Sequence, residues 1–363
     1  MVPSLGVKGA AHLLDVYGSA EAVFDAGVDS LVSRAQLRPD VARSIASCEA
    51  FRAAEREMDY CRTHGIRPVA STDSEYPPLL KSIPDYPHVI YVRGNVEALS
   101  MRAVTFVGTR AMTPYGESAC NMLVAGLARR VPGICIVSGL AYGIDAAAHR
   151  AALAAGVPTV AVIANPLPKI NPVPHTALAR DIIDRGGAVI TELSSATKYN
   201  GSFYISRNRI LAAIAAGTVV VESAASGGSL ATARFADSYD RAVMAVPGRI
   251  NERASQGTNA LISNRKALAV TCAEDIVREL MWDLGLPEPR RFASPVDEVM
   301  NDLLPGERAL LACMRCGEAV TSDELAARSG MSPDELAAAL MSLEMSGAVR
   351  MLAGDKYEVI ENL

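Results

Sequence analysis

Along the first 64 residues, apolar positions recur at helical spacing. Gly9 to Tyr17, Ala20 to Ala26 and Pro39 to His64 each carry that pattern, which predicts a helical module over 1–64. Near Gly65 the period changes. Short β-branched runs at Ala103–Val107, Cys135–Val137, Thr159–Ile163, Ala188–Glu192, Thr218–Glu222 and Ala242–Val246 alternate with Ala-rich helical stretches. Those stretches lie near 116–130, 143–155, 175–185, 205–216 and 228–240. Strands separated by helices predict βαβ units, hence an α/β fold with a doubly wound, mainly parallel sheet over 65–284.

The pattern changes once more at Gly285-Leu286-Pro287-Glu288-Pro289-Arg290-Arg291, which predicts a linker over 285–300. Past it, Asp323–Ser329, a Gly330-Met331-Ser332 turn and Pro333–Glu344 predict a helix-turn-helix. Ser332, Pro333 and Glu335 supply an N-cap, a first-turn proline and the third residue of a capping box. Val349–Leu352 and Tyr357–Ile360 flank Gly354-Asp355 as a hairpin, completing a winged-helix domain over 301–363.

Composition adds limits. The 363 residues suffice for two or three domains, and half are apolar with few aromatics, so the cores are built from Ala, Val, Leu and Ile. No apolar run is long and unbroken enough to cross a bilayer, and Met1-Val2-Pro3-Ser4-Leu5-Gly6 lacks the basic and long apolar regions expected of a signal peptide. Seven scattered cysteines fit reduced thiols, so a cytoplasmic protein is expected. Residues 301–363 hold 11 acidic and 5 basic side chains, a net of −6 against −5 for the whole chain. The first 300 residues therefore carry +1 and are free to form a basic site.

In such a sheet, ligands sit beyond the carboxyl ends of the strands. One strand there runs into Gly108-Thr109-Arg110, another into Ser138-Gly139-Leu140-Ala141-Tyr142-Gly143-Ile144-Asp145, and a third into Ser226-Gly227-Gly228-Ser229. Glycine-rich turns that open helices present free N–H groups to an anion, and three in a row suit a polyanion. Phe203-Tyr204-Ile205-Ser206-Arg207-Asn208-Arg209 adds two guanidiniums, an amide and two aromatic rings. Arginine pairs with phosphate and a ring stacks on an unpaired base, a combination that favours single strands. Lys198 and Lys169 could extend the basic track. The other reading is that Arg207 and Arg209 pair with Glu192 or Glu222.

Gly-x-Gly-x-x-Gly after a strand and the P-loop pattern are both absent, which disfavours NAD and P-loop nucleotide sites; no cofactor is expected. Cys313-Met314-Arg315-Cys316 lacks a second ligand pair, and the five histidines are dispersed, so neither a metal nor a catalytic residue is expected. Pro3-Ser4-Leu5-Gly6 with Leu13-Leu14 has the outline of a helix-hairpin-helix, but Ser4 stands where the first glycine belongs. A packing module is the better reading.

Taken in order, several segments resemble the DprA/Smf family of bacterial DNA-processing proteins. They are Val107–Arg110, Ser138–Asp145 with Ala148-His149, Phe203 with Arg207–Ile210, Val221–Ala233, Ala245-Val246-Pro247-Gly248 and Ser255–Asn259. Tyr76-Pro77-Pro78-Leu79-Leu80 and Tyr91-Val92-Arg93-Gly94 resemble that family's entry to its Rossmann-like domain. Two places depart from the pattern: Tyr204 replaces the usual proline, and after the third strand Lys169-Ile170-Asn171-Pro172 replaces a Tyr-Pro segment, with Asn165-Pro166 altering the loop before it. The resemblance implies a SAM-like helical module, a Rossmann-like DNA-binding domain and a winged helix. It also implies a homodimer that binds single-stranded DNA and loads the recombinase RecA during natural transformation. The DNA site that the resemblance implies uses Arg110, Ser138, Gly139, Phe203, Arg207, Ser226, Gly227, Gly228 and Ser229, and the reading of the residues themselves adds Gly108, Lys198, Asn208 and Arg209.

Two further expectations follow from charge and fold. The second helix of the winged helix carries Asp334, Glu335 and Glu344 and no cation, so weak DNA binding and a role in protein contacts are expected of it. The rival reading of the chain is a nucleotide-processing enzyme such as a nucleoside-monophosphate hydrolase, with Glu192 or Glu222 as acid or base. Ser226-Gly227-Gly228-Ser229 lacks the Pro-Gly-Gly-x-Gly-Thr loop of those enzymes.

Overall fold

A computed structural model describes residues 2, 4–198, 200–282, 304–314, 319–345, 348–352 and 354–359. The chain divides into two compact units, 1–284 and 285–363. The linker expected over 285–300, and Arg315 and Cys316 of the Cys-x-x-Cys, lie outside the described residues.

The first unit begins with α1 (Val7–Tyr17), α2 (Ala20–Asp25), α3 (Val28–Ser33) and α4 (Pro39–Ala46). They bury Leu13, Val23, Leu31, Val41 and Ile45 in a core of their own. The periodicity over Pro39–His64 predicts one helix, but the structure makes two, because Cys48 adopts a left-handed φ of 55° ahead of α5 (Glu49–Thr63). α3 was not predicted. α5 leads into β1 (Arg67–Ala70), α6 (Pro78–Lys81) and β2 (Val89–Gly94).

The six predicted runs become β3 (Arg102–Val107), β4 (Ile134–Ser138), β5 (Thr159–Val162), β6 (Ala188–Thr191), β7 (Gly217–Val220) and β8 (Ala242–Ala245). With β9 (Leu268–Ala269) they form one sheet of order β1-β2-β6-β5-β4-β3-β7-β8-β9. β3 through β9 pair in parallel, whereas β2 runs antiparallel to β6 and β1 antiparallel to β2. β1, β2 and β9 escaped the sequence pattern. Pro68 in β1 suits an edge strand, which loses no ladder bond on its open side, and β9 has two residues.

Between the strands lie α7 (Pro114–Arg130), α8 (Ile144–Ala154), α9 (Thr176–Asp184), α10 (Phe203–Ala213), α11 (Gly228–Ser238), α12 (Gln256–Ser263) and α13 (Ala273–Glu279). Alternation along β3 sends Val104 and Phe106 to one core with Leu123, Leu127, Ala148 and Ile276, and Ala103 and Val107 to another with Ile210, Leu211 and Ala233. Helices thus cover both faces, which is why the central strands are apolar throughout. Strand order reverses at β3, bonded to β4 on one side and β7 on the other. A crevice is expected where the loops after β3 and β7 part.

The second unit holds α14 (Pro305–Ala312), β10 (Val320–Thr321), α15 (Ser322–Ser329), α16 (Pro333–Met345), β11 (Val349–Leu352) and β12 (Lys356–Val359). Its sheet order is β10-β12-β11, over a core of Leu310, Leu325, Leu336, Leu340 and Leu343. The expected capping box forms: the Ser332 N–H and hydroxyl donate to Glu335 Oε2 at 3.0 and 2.7 Å. This is the winged helix that the sequence predicts.

Candidate functional site

Between the loops that leave β3 and β7 lies a cavity of about 490 Å³. Gly108 and Arg110 line it from the first loop, and Ser226, Gly227, Gly228 and Ser229 from the second. Asp145 enters from α8, and Tyr204, Arg207 and Asn208 from α10. Topology explains the convergence, since α8, α10 and α11 all start at the carboxyl edge of the sheet.

Each wall has a local cause. Thr113 caps α7 by accepting from Gly116 N–H at 3.2 Å, and its own N–H and hydroxyl donate to Glu222 at 2.9 and 2.5 Å. Glu222 is therefore committed to shaping the loop after β3. α11 starts at Gly227 without a side-chain cap. Its first N–H groups have no carbonyl within the helix, and they sit at the positive end of its dipole. Asn208 Nδ2 donates to the Gly228 carbonyl at 3.2 Å and ties α10 to that turn.

Arg207 is buried beneath the cavity. Its Nη1 donates to the Gly139 carbonyl at 2.8 Å and to the Val162 carbonyl, while Nε has no partner. Gly139 is required here, because a Cβ would collide with both the Arg207 guanidinium and the Asp145 carboxylate. Gly143 has φ +75° and lies against the Thr109 and Arg110 backbone, where no side chain fits. Burial raises the Asp145 pKa against the pull of Arg207, and burial lowers that of Arg207 against the pull of Asp145. The floor thus sets one carboxylate and one guanidinium in the same low-dielectric setting, each favouring the charged form of the other.

Arg110 is exposed at the mouth, its guanidinium over the Tyr204 ring at 5.5 Å. Asn171 Nδ2 donates to the Tyr204 hydroxyl at 2.6 Å, which brings the loop after β5 to the same mouth. The two departures in sequence, Tyr204 and the 169–172 segment, therefore meet each other.

The other expected site residues lie elsewhere. Ser138 is buried at the end of β4 and donates to the Phe106 carbonyl at 2.6 Å. Gly139 lies behind Arg207 and does not line the cavity. Phe203 is half-buried at the start of α10, while its neighbour Tyr204 faces the cavity. Lys198 and Lys169 are exposed on the loops after β6 and β5. Arg209 is buried, paired with Glu192 and 3.8 Å from Asp85. Of the ion pairs the sequence left open, this one is made. Burial raises the Glu192 pKa, and Arg209 opposes the rise. Sequence reasoning did not assign a role to Asp145 or Thr109. The signal was present in Asp145, an acid in the first turn of a helix that follows a glycine-rich turn.

Among the described residues, no group of three or more His, Cys, Asp and Glu could hold a metal, and no helix is long and apolar enough to cross a membrane.

Comparison with known proteins gives a consistent result. The family model described as DNA recombination-mediator protein A matches residues 67–281, and the DprA winged helix domain matches 298–355. Protein Smf of Escherichia coli (strain K12) is 37% identical over 287 residues, covering 78% of this chain and 75% of the relative. DNA processing protein DprA of Bacillus subtilis (strain 168) is 37% identical over 220 residues, covering 60% and 73%. The X-ray structure of DprA from Streptococcus pneumoniae superposes with a TM-score of 0.67 at 28% identity, covering 76% of this chain and 94% of that one. A DprA structure from Helicobacter pylori, described in terms of its single-stranded DNA binding mode, gives 0.53 at 26% identity, covering 60% and 96%.

Proposed function

Because the chain belongs to the DNA recombination-mediator protein A family, we propose that it binds single-stranded DNA in the crevice between the loops after β3 and β7. The observation that carries this reading is Arg110, exposed and held over the Tyr204 ring at the mouth of a cavity walled by the α11 amides. Arg110 and the N–H groups of Gly228 and Ser229 hold phosphate. Tyr204, more than Phe203, offers a ring to a base. Arg207 supplies positive potential from below, and Asn208 fixes the α11 turn. Lys198 extends the track. Arg209 is committed to Glu192 and Asp85, so it supports α10 from behind and does not meet the strand.

The same proposal includes a homodimer, loading of the recombinase RecA onto the bound strand, and action in the cytoplasm during transformation. Family membership supports these parts. The chain acts by binding, with no catalytic residue and no cofactor. Of the two acids in the rival enzymatic reading, Glu222 is engaged by Thr113 and Glu192 by Arg209, which supports binding over hydrolysis.

The test is fluorescence anisotropy of a labelled single-stranded oligonucleotide across several salt concentrations, with a duplex of equal length as control. Salt-sensitive binding that favours the single strand is expected, with a slope of roughly −0.7 per phosphate contact. Equal weakness on both would overturn the reading.

A further inference from the structure

Helix α5 lies upstream of the segment matched by the DNA recombination-mediator protein A model, yet it touches the loops after β5 and β6, which lead to the first turn of α10. Glu57 is 6% exposed, and among the described residues it forms no ion pair. Its carboxylate accepts from the Ser195 N–H at 2.8 Å and from the Ser195 hydroxyl at 2.5 Å. One turn on, the Tyr60 hydroxyl donates to the Leu167 carbonyl at 3.4 Å, and Cys61 shares a buried cluster with Leu167. Ser195 belongs to the loop that carries Lys198 and enters α10 at Phe203; Leu167 belongs to the loop whose Asn171 bonds Tyr204. Both loops lead from α5 to the first turn of α10.

Burying a carboxylate away from a cation is unfavourable unless hydrogen bonds replace its water. Two charge-assisted bonds to one loop residue do so, and they fix that residue's backbone. A loop ordered before binding does not have to be ordered by the ligand, so its cations act at lower entropic cost.

We propose that Glu57 is a positioning residue for the DNA site: α5 braces the loop after β6, and through it Lys198 and the start of α10, in the conformation that meets a single strand. This rests on the DNA-binding reading above. It assigns the N-terminal helices a part in DNA affinity without any contact between them and DNA. The sign of the effect separates the proposal from simple electrostatics, because deleting an acid should otherwise strengthen binding to a polyanion.

The experiment uses the full chain and three variants, Glu57→Ala, Ser195→Ala and Lys198→Ala, with Glu57→Ala/Lys198→Ala as the double. Ser195 lies on a partly exposed loop, so its variant keeps the fold even where Glu57→Ala does not. Amide hydrogen exchange reads the loop without DNA, and oligonucleotide binding reads affinity and salt slope. The brace predicts faster exchange across 193–198 in the Glu57 and Ser195 variants. It also predicts roughly fivefold weaker binding for Glu57→Ala, a slope flattened by about the single contact that Lys198→Ala removes, and a double variant no weaker than its worse parent. Unchanged exchange overturns the brace, as does binding by Glu57→Ala that equals or exceeds wild type, or a fully additive double. Arg110→Ala, measured alongside, reports separately on the DNA reading. If it binds as wild type, that reading fails, and the exchange arm alone decides whether Glu57 sets the loop.

Discussion

The guanidinium carbon of Arg110 lies 5.5 Å from the centre of the Tyr204 ring, and Asn171 holds that ring in place through its hydroxyl. Such a contact is worth about 0.5–1 kcal/mol at an exposed site. It therefore orients the arginine without burying its charge. Arg110→Ala should weaken single-strand binding about tenfold at moderate salt and flatten the salt slope by about 0.7, the share of one phosphate. Tyr204→Leu should weaken binding while leaving the slope nearly intact, because a ring carries no charge. Anisotropy titrations at three salt concentrations separate the two. Loss of slope in the tyrosine variant would assign the ring to holding Arg110 alone.

The six central strands and the helices between them were legible because period and composition are local properties. Val104, Phe106, Val137 and Val162 alternate or run together whatever lies around them. The row of loops was legible as well, since topology forces the ends of parallel strands onto one edge. The division of labour among the arginines was not. Arg207 and Arg209 stand two apart on one helix, and the spacing alone does not say which carbonyls or carboxylates they meet. Only the packed fold reveals that Arg207 reaches back to Gly139 and Val162, while Arg209 meets Glu192. Glu57 was unreadable for the same reason: its partner lies 138 residues away.

Arg209 provides a contrast with Arg110. Removing it leaves Glu192 and Asp85 facing each other with no cation, in a site where burial already raises the Glu192 pKa. Arg209→Met should cost about 3 kcal/mol at pH 7, as expected for breaking a buried pair from one side. A carboxylate whose folded pKa lies above its unfolded one binds more protons in the native state, so its penalty grows as pH rises. The deficit should therefore shrink between pH 7 and pH 5, because burial makes Glu192 take up its proton more readily than a free carboxyl. Urea unfolding at both pH values measures this. An equal deficit at the two would mean that lost packing is the cause.

The winged helix makes a prediction of absence. On α16 the described exposed positions are Pro333, Asp334, Glu335, Ala337, Ala338, Met341, Ser342 and Glu344, a face with no donor cation. A recognition helix reads base edges with Arg, Lys, Asn or Gln and sits against phosphates. Ala338→Glu and Met341→Glu together should leave affinity for single and double strands within about twofold, since a charge outside the contact is screened within roughly 10 Å. A loss well beyond that would place α16 on the DNA.

His149 gives the chain an acid-sensitive joint behind the cavity. The Thr159 hydroxyl donates to the Ile136 carbonyl at 2.7 Å, so its oxygen must accept from His149 Nδ1, also at 2.7 Å. That fixes the tautomer: the proton sits on Nδ1, and the buried Nε2 has no partner. Adding a second proton would place a charge in a dry site near His175 and Arg207. Burial first, and the neighbouring His175 and Arg207 second, push the pKa from 6.5 to about 3. Below pH 6.5 the unfolded chain gains a proton that the native state refuses, so stability falls by about 1.4 kcal/mol per pH unit until the native histidine titrates. Glutamine offers a neutral hydrogen-bonding group with no such proton. The stability gap between wild type and His149→Gln should therefore shift in the variant's favour by that amount per unit as pH falls from 6.5 to 4.5. Denaturation curves that stay parallel over this range would show that His149 is protonated in the native protein, with an acceptor for Nε2.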